Sequence, residues 1–275
     1  MKAGIYPNVS FEDYRSWPGW SSSDLKALRQ GPPALVPWRR ANPSEHTDAT
    51  LLGTFCHAAL LEGDSFAERF AQKPSDMNFS TKGGKAWKAS QGGKQIITAK
   101  QFELVQGIVA AVWAKPLAAD SLERASNFEA SILWDQDGVA LKARPDWYDD
   151  EAVVDLKVSR YATERTVGFR SWCEGWLNQI VFYRAALNAV GVPVKRGRLV
   201  VVHPVPPHPV FLIEVKENVM DLLALDNARD VKRLAAYEAS GVWPGTPEEW
   251  LPVDLPAAAL AESFSVLDGT EAENA

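Results

Sequence analysis

Cysteine is scarce: Cys56 and Cys173 are the only two in 275 residues. Two thiols so far apart build neither a disulfide framework nor a four-cysteine zinc or iron–sulfur site, and a reducing, cytoplasmic home is the expectation. No apolar run approaches the ~18 residues of a membrane-spanning helix. The opening MKAGIYPNVSFEDY lacks the apolar core of a signal peptide. Internal repeats are absent. Acidic residues are missing from one stretch, between Asp76 and Glu103, where Lys82, Lys85, Lys88, Lys94 and Lys100 all fall. The whole chain carries a net charge of −6, so its acidic excess lies elsewhere, notably in 135–151 and toward the C-terminal end. For a nucleic-acid partner the distribution of charge matters more than its sum.

At 46% hydrophobic and 23% charged residues the composition is that of an ordinary globular protein, long enough to bury one substantial core. Tryptophan is abundant, at eleven. Trp17, Trp20 and Trp38 lie in the N-terminal part, and Trp172 and Trp176 are four apart on a long predicted helix. Core packing or subunit contact is the first use of such residues, base stacking the second.

Residue patterns predict an α/β chain with a mixed sheet. Ser21-Ser22-Ser23 offers an N-cap before DLKALRQ, which Gly31-Pro32-Pro33 stops. The N-terminal helical part runs to about residue 63, and a flexible, loop-rich basic insertion covers about 76–98. A helix over about Ala99–Ala114 ends before Pro116. Strands are predicted over 126–134, 139–148 and 152–157, the first two joined by the turn Asp135-Gln136-Asp137-Gly138. A long helix over about Thr163–Val190 stops at Gly191. Strands 197–203 and 209–216 bracket PVPPHP, and a final helix covers about Val219–Ala239. One domain over 1–256 and a flexible tail over 257–275 complete the expectation.

The most informative stretch is ARPDWYDDEAVVDLK, residues 143–157. Side chains alternate along a strand, so Asp155 and Lys157 share a face. The Asp149-Asp150-Glu151 turn lets the preceding strand fold back and bring Asp146 beside Asp155. Two carboxylates and an ammonium at a strand end suit a hard divalent cation, which prefers oxygen ligands, and suit hydrolysis of a phosphodiester. Turn carboxylates beside an edge-strand lysine would read the same way.

Other features stand in a suggestive order. Gly53-Thr54-Phe55-Cys56-His57 lies in an apolar helical segment, where His57 fits either a core position or a ligand. Glu129, in NFEASILW, precedes Asp146 on a strand and is either an inward ligand or an exposed carboxylate. Gln179 and Tyr183, four apart, share one helix face and can reach a neighbouring strand end or simply pattern an amphipathic helix.

The order G-x-x-x-H, Glu, Asp, D-x-K, Q-x-x-x-Y resembles the RecE-type (exonuclease VIII) phage recombination nucleases, in the RecB-like branch of the PD-(D/E)xK superfamily. GIYPNVSFEDYRSWPGWSSSDLKAL, PALVPWRR, LGTFCHAALLE and VWPGTPEEWLPVDLP carry the likeness from about Gly4 to Pro256. The absence of a four-cysteine cluster sets the chain apart from some RecB-like relatives. The resemblance implies a PD-(D/E)xK restriction-endonuclease-like core, with a central mixed sheet flanked by helices. His57, Asp146, Asp155 and the backbone carbonyl of Leu156 become metal ligands, for Mg²⁺ with Mn²⁺ able to substitute, and Lys157 the catalytic lysine. Gln179 and Tyr183 order the site or touch the DNA backbone, and Glu129 is a further catalytic carboxylate, at a position where neighbouring families differ in whether it contacts metal. Asp155 stands where many relatives carry Glu.

The implied activity is 5′-to-3′ degradation of one strand of linear double-stranded DNA, leaving 3′ overhangs for a RecT-like single-strand annealing protein. A ring-shaped trimer or tetramer, encoded by a phage or prophage in a bacterial host, is implied with it. An endonuclease or repair nuclease of the superfamily, or a non-catalytic DNA-binding scaffold, are the alternatives. Arg39 and Arg40, in PWRRANP, are candidates for the terminal 5′ phosphate, since arginine presents a fork suited to phosphate; solvent-exposed arginines after a helix are the plainer account. Lys82, Lys85, Lys88 and Lys94, with Trp87 among them, are candidates for a DNA-tracking groove, as against a solvated loop.

Overall fold

Alternation in the middle of the chain decides the architecture of the computed structural model, which describes residues 2–42, 48–63, 66–161, 163–250 and 252. Along β8 (Ala152–Val158), Val153 faces one apolar layer while Val154 and Leu156 face another. Both faces of this strand are buried, as in strands sandwiched between helices.

Ahead of β8 lie β1 (Gly4–Tyr6), α1 (Phe11–Ser16), α2 (Ser22–Gln30), α3 (Leu35–Ala41) and α4 (Asp48–Leu61). They are followed by α5 (Phe66–Arg69), β2 (Phe70–Gln72), α6 (Lys82–Ser90), β3 (Gln95–Ile97), α7 (Ala99–Trp113) and α8 (Pro116–Glu123). The strands β4 (Asn127–Phe128), β5 (Ser131–Gln136), β6 (Val139–Ala143) and β7 (Trp147–Tyr148) lead into β8. After it come α9 (Val167–Cys173), α10 (Trp176–Ala189), β9 (Arg196–Val202), β10 (Val210–Glu214) and α11 (Glu217–Ser240). All belong to a compact unit ending at Pro244; from Gly245 on, a second unit contains no helix or strand among its described residues. The predicted tail, 257–275, lies outside the described residues.

The main sheet has the order β10-β9-β8-β7-β4, with β8 and β9 parallel and the other pairs antiparallel. It is the predicted mixed sheet flanked by helices. α2, α10 and α11 cover one face, around Ile180, Leu199 and Leu234, and α4, α7 and α8 the other, around Phe55, Ile108 and Leu156. An antiparallel β1-β5-β6 sheet and a parallel β2-β3 pair complete the strands.

Three departures from the predicted elements have local causes. The strand predicted over 126–134 breaks at Glu129, whose φ of 47° turns the chain from the main sheet into the smaller one. The strand predicted over 139–148 breaks at Arg144-Pro145, where proline has no N–H for the ladder. The helix predicted over Thr163–Val190 is two, parted at Gly175, whose φ of 71° a side chain would resist. Trp172 and Trp176 therefore sit on different helices.

α2 starts as expected: the Asp24 carboxylate accepts from both the Ser21 N–H, at 2.8 Å, and its Oγ, at 2.7 Å. Its far end is tied to α11 by Arg29, which donates to Asp230 at 2.6 Å and Asn227 at 2.7 Å. No single helix among the described residues is long and apolar enough to cross a membrane.

The basic insertion is more ordered than predicted. Thr81 caps α6, and Gly83 and Gly84 are helical residues. Gly84 is buried, and a Cβ there would overlap the Asn78 carbonyl, whereas Gly83 has open space around it. Gly83→Ala should stabilise by up to about 1 kcal/mol through helix propensity, while Gly84→Ala should undock α6 and lower the melting temperature. Calorimetry of the two variants checks this; equal stability would mean α6 is not packed against Asn78.

Candidate active site

Strand register brings the two central carboxylates together. Trp147 pairs with Val154 and Tyr148 with Val153, so one step further along the same register Asp146 lies opposite Asp155. Both are buried. Asp146 Oδ2 accepts from the Leu156 N–H at 2.6 Å, and Asp146 Oδ1 faces His57 Nδ1 at 3.3 Å. Lys157 Nζ lies 2.6 Å from Asp155 Oδ2. That approach is close but poorly aligned, and Asp155 Oδ2 is a buried oxygen without a hydrogen bond.

Charge is unevenly shared between the carboxylates. Burial, reinforced by the Asp146 charge and only partly offset by Lys157, pushes Asp155 up to about 6. Burial acts on Asp146 in the same sense, but the charge and hydrogen bond of His57, with Lys157 and the Leu156 N–H, hold its carboxyl below the ordinary range. Burial alone would depress the His57 imidazolium; Asp146, with help from Asp155, outweighs it and raises the pKa to about 9. His57 is thus a partner of the carboxylates and not a core histidine. Its helix α4 packs on the Leu156 face of the sheet, and Phe55, Cys56 and Ala58 around it fill that core.

α10 approaches from the other face. Gln179 Nε2 donates to the Tyr183 hydroxyl at 2.7 Å, as their spacing predicts. Burial, then the charge of Asp155, raises the Tyr183 phenol well above its usual range; the hydroxyl remains protonated beside the carboxylates.

Glu129 is differently placed from the prediction. It sits at the break between β4 and β5, not within a strand, and its N–H donates to the Asp146 carbonyl at 2.8 Å. Its carboxylate is turned to Arg144, at 3.3 Å, while Arg144 also donates to the Val9 carbonyl and Ser131 Oγ. Arg144 is not among the residues the sequence points to, although ARPD puts it two residues from Asp146. Neither is Lys26, on α2, which no sequence signal marks. Burial lowers its pKa, Lys157 and Arg39 push the same way, and Glu174, 3.6 Å distant, opposes them. Lys26 thus lies within electrostatic range of Lys157 and Arg39, in a neighbourhood that also holds Glu174.

Arg40 is engaged differently. Its guanidinium donates to both Asp24 oxygens at 3.0 Å and to the Gly19 carbonyl at 2.6 Å, and lies 3.7 Å over the Trp20 ring. Its Nε and Nη2 are engaged by the fold, whereas Arg39 is exposed, so Arg39 is the freer of the two phosphate candidates. Of the basic-insertion residues, Lys82, Lys85 and Lys88 are exposed on α6. Lys94 donates to the Ala67 carbonyl at 2.7 Å. Trp87 is half-buried and stacked on Phe79, with centroids 6.1 Å apart, which serves to hold α6 in place. A cavity of about 340 Å³ between Phe79, Lys88 and α4 residues Leu51 and Phe55 separates α6 from the helix that carries His57.

Two buried carboxylates facing each other across neighbouring strands fit a hard divalent cation. Among the described residues no three His, Cys, Asp or Glu side chains are arranged to enclose a metal. In chelator-treated protein, NMR should show His57 titrating near 9, and Asp146→Asn should move it below 6.5, since burial then prevails. An unmoved titration would break the pairing.

The chain and its fold have counterparts among known proteins. A family model described as a PDDEXK-like domain of unknown function (DUF3799) matches residues 21–250. A crystal structure from Eubacterium rectale, described as that of a candidate exonuclease, shares the fold with a TM-score of 0.63 at 15% identity, covering 92% of this chain and 98% of the other. An alkaline exonuclease from Laribacter hongkongensis aligns at 15% identity over 60% of this chain and 85% of its own, with a TM-score of 0.31, too low to carry an argument. No curated protein matches.

Proposed function

The chain belongs to the PDDEXK-like DUF3799 family, and from that membership we propose that it is a metal-dependent exodeoxyribonuclease. It degrades one strand of linear double-stranded DNA in the 5′-to-3′ direction and leaves 3′ overhangs for a RecT-like annealing protein. What carries the proposal is the ion pair of Lys157 with a buried, incompletely bonded Asp155 directly opposite Asp146. The description of the Eubacterium rectale neighbour as a candidate exonuclease agrees with it. Polarity, the annealing partner, a phage origin and a ring-shaped trimer or tetramer rest on the resemblance of the sequence to RecE-type nucleases.

Asp146, Asp155 and the Leu156 carbonyl, with His57 once it turns from Asp146, would hold Mg²⁺ or Mn²⁺. When bound, such a cation polarises the phosphoryl group and acidifies a water. Lys157 brings an ammonium to the same strand face, where it orients the attacking water and offsets the charge that builds on the phosphoryl oxygens. The Leu156 N–H and His57 fix Asp146 in one orientation. Tyr183, held by Gln179, presents a protonated hydroxyl beside the carboxylates to a phosphate oxygen. Glu129 acts at one remove, positioning the Asp146 backbone and Arg144. Arg39, with Lys26 near it, receives the terminal phosphate, and Lys82, Lys85 and Lys88 on α6 track the duplex backbone.

Duplex DNA labelled separately at each 5′ and 3′ end, incubated with and without Mg²⁺, should lose its 5′ label first and only with metal. Covalently closed circles should survive; their cutting would indicate an endonuclease of the same superfamily. Asp155→Asn should abolish cleavage while duplex binding persists, and Lys157→Ala should lose about two orders of magnitude or more in rate. Normal turnover of Asp155→Asn at saturating Mg²⁺ would refute the site.

The α6 lysines have a separate signature. In the triple alanine variant of Lys82, Lys85 and Lys88, the slope of log affinity against log salt should shrink by about 0.9 for each phosphate no longer neutralised. Cleavage at saturating DNA and low salt should remain. An unchanged slope would remove α6 from the DNA path.

A further inference from the structure

α9 leaves large aromatics bare. It turns Val167 toward the core and buries Ser171, whose Oγ donates to the Val167 carbonyl at 2.7 Å. The opposite side presents Phe169, 65% exposed, and Trp172, 58% exposed, with ring centroids 6.0 Å apart. Tyr161, 57% exposed, lies under the Arg170 guanidinium at 4.3 Å. Its loop is pinned by the Thr166 hydroxyl, which donates to the Tyr161 carbonyl at 2.7 Å. Exposed large aromatics in one short segment mark a contact surface.

Charge says what covers it. Residues 157–172 carry Lys157, Arg160, Arg165 and Arg170 against a single acid, Glu164, in a chain whose net charge is −6. A second copy meeting this patch with its own copy of it, about a twofold axis, would set these cations against each other. Aromatic rings interleaved with arginines match nucleobase faces and the phosphates between them. The patch also follows the candidate site in the chain: β8, with Asp155 and Lys157, ends three residues before Tyr161, and Glu174, the C-cap of α9, pairs with Lys26.

We propose that Tyr161, Phe169 and Trp172 form a stacking platform for unpaired nucleobases next to the catalytic centre, with Arg160, Arg165 and Arg170 taking the adjoining phosphates. The platform rests on DNA being the substrate, as proposed above, and adds a single-strand subsite to it. It holds the bases freed as one strand is removed from the duplex.

Binding in EDTA, where nothing is cleaved, separates stacking from charge. The double variant Phe169→Ala/Trp172→Ala should bind a short oligothymidylate about tenfold or more weakly and an abasic oligomer of equal length as wild type does. Trp172→Tyr should retain most of the affinity. Arg165→Ala/Arg170→Ala should weaken both ligands and lower the salt slope. The aromatics are exposed, so the melting temperature of the double variant should match wild type. Equal weakening on both oligomers, unchanged binding of oligothymidylate, or a changed sedimentation coefficient in the double variant would overturn the platform, the last by assigning the face to subunit contact. If wild type cleaves duplex while the double variant binds oligothymidylate normally, only the platform fails. If wild type binds neither DNA form, the proposed function fails with it.

Discussion

Two carboxylates buried opposite each other on neighbouring strands repel and lack solvent to screen them, and the surrounding structure is arranged around that tension. Asp146 is relieved by the imidazolium of His57 and by the Leu156 N–H. Asp155 is relieved by Lys157 and more weakly by His57, and it keeps the higher affinity for protons. Burying charge is costly unless it is paired. A buried pair of carboxylates with a single neighbouring ammonium keeps excess negative charge, which an added cation would neutralise.

Helices from opposite layers support this pair. α4 brings His57 from the Leu156 face of the main sheet, while α10 brings Gln179 and Tyr183 over the Val153 face. The sheet could not present Asp146 in this way if its strands ran on unbroken. The turn at Glu129 and the ladder gap at Arg144-Pro145 divide two long predicted strands between two sheets, and Asp146 follows immediately after the second break. Glu129 and Arg144 close the gap with an ion pair and with bonds to Val9 and Ser131. Strain and polar pairing at the strand breaks thus locate the carboxylate.

Electrostatics beyond the pair follow the same division of labour. Arg40 is spent on Asp24, Gly19 and Trp20, and Lys94 on the Ala67 carbonyl, so these cations stabilise the N-terminal helices and the α5 segment. Lys82, Lys85 and Lys88 on α6, and the arginines around α9, remain exposed or half-exposed. An overall charge of −6 is therefore compatible with locally basic surfaces suited to a polyanion.

Much was legible in the sequence alone. Period-two alternation in VVDLK puts Asp155 and Lys157 on one face, the turn before it folds Asp146 alongside, and i,i+4 spacing joins Gln179 to Tyr183; each is a local geometric rule. Capping at Ser21 and the α/β class were local too. What the tertiary structure decided depends on partners distant in sequence. Whether His57 is a core residue or a partner of the carboxylates turns on Asp146, eighty-nine residues away. Whether Arg40 is free turns on Asp24 and Trp20, and whether Gly83-Gly84 is a flexible loop or a docked helix turns on the Asn78 backbone. Whether a long helical pattern is one helix or two turned on the left-handed Gly175. Spacing along a chain reports which side chains share a face, but only the fold brings the opposing charge or backbone that decides what each of them does.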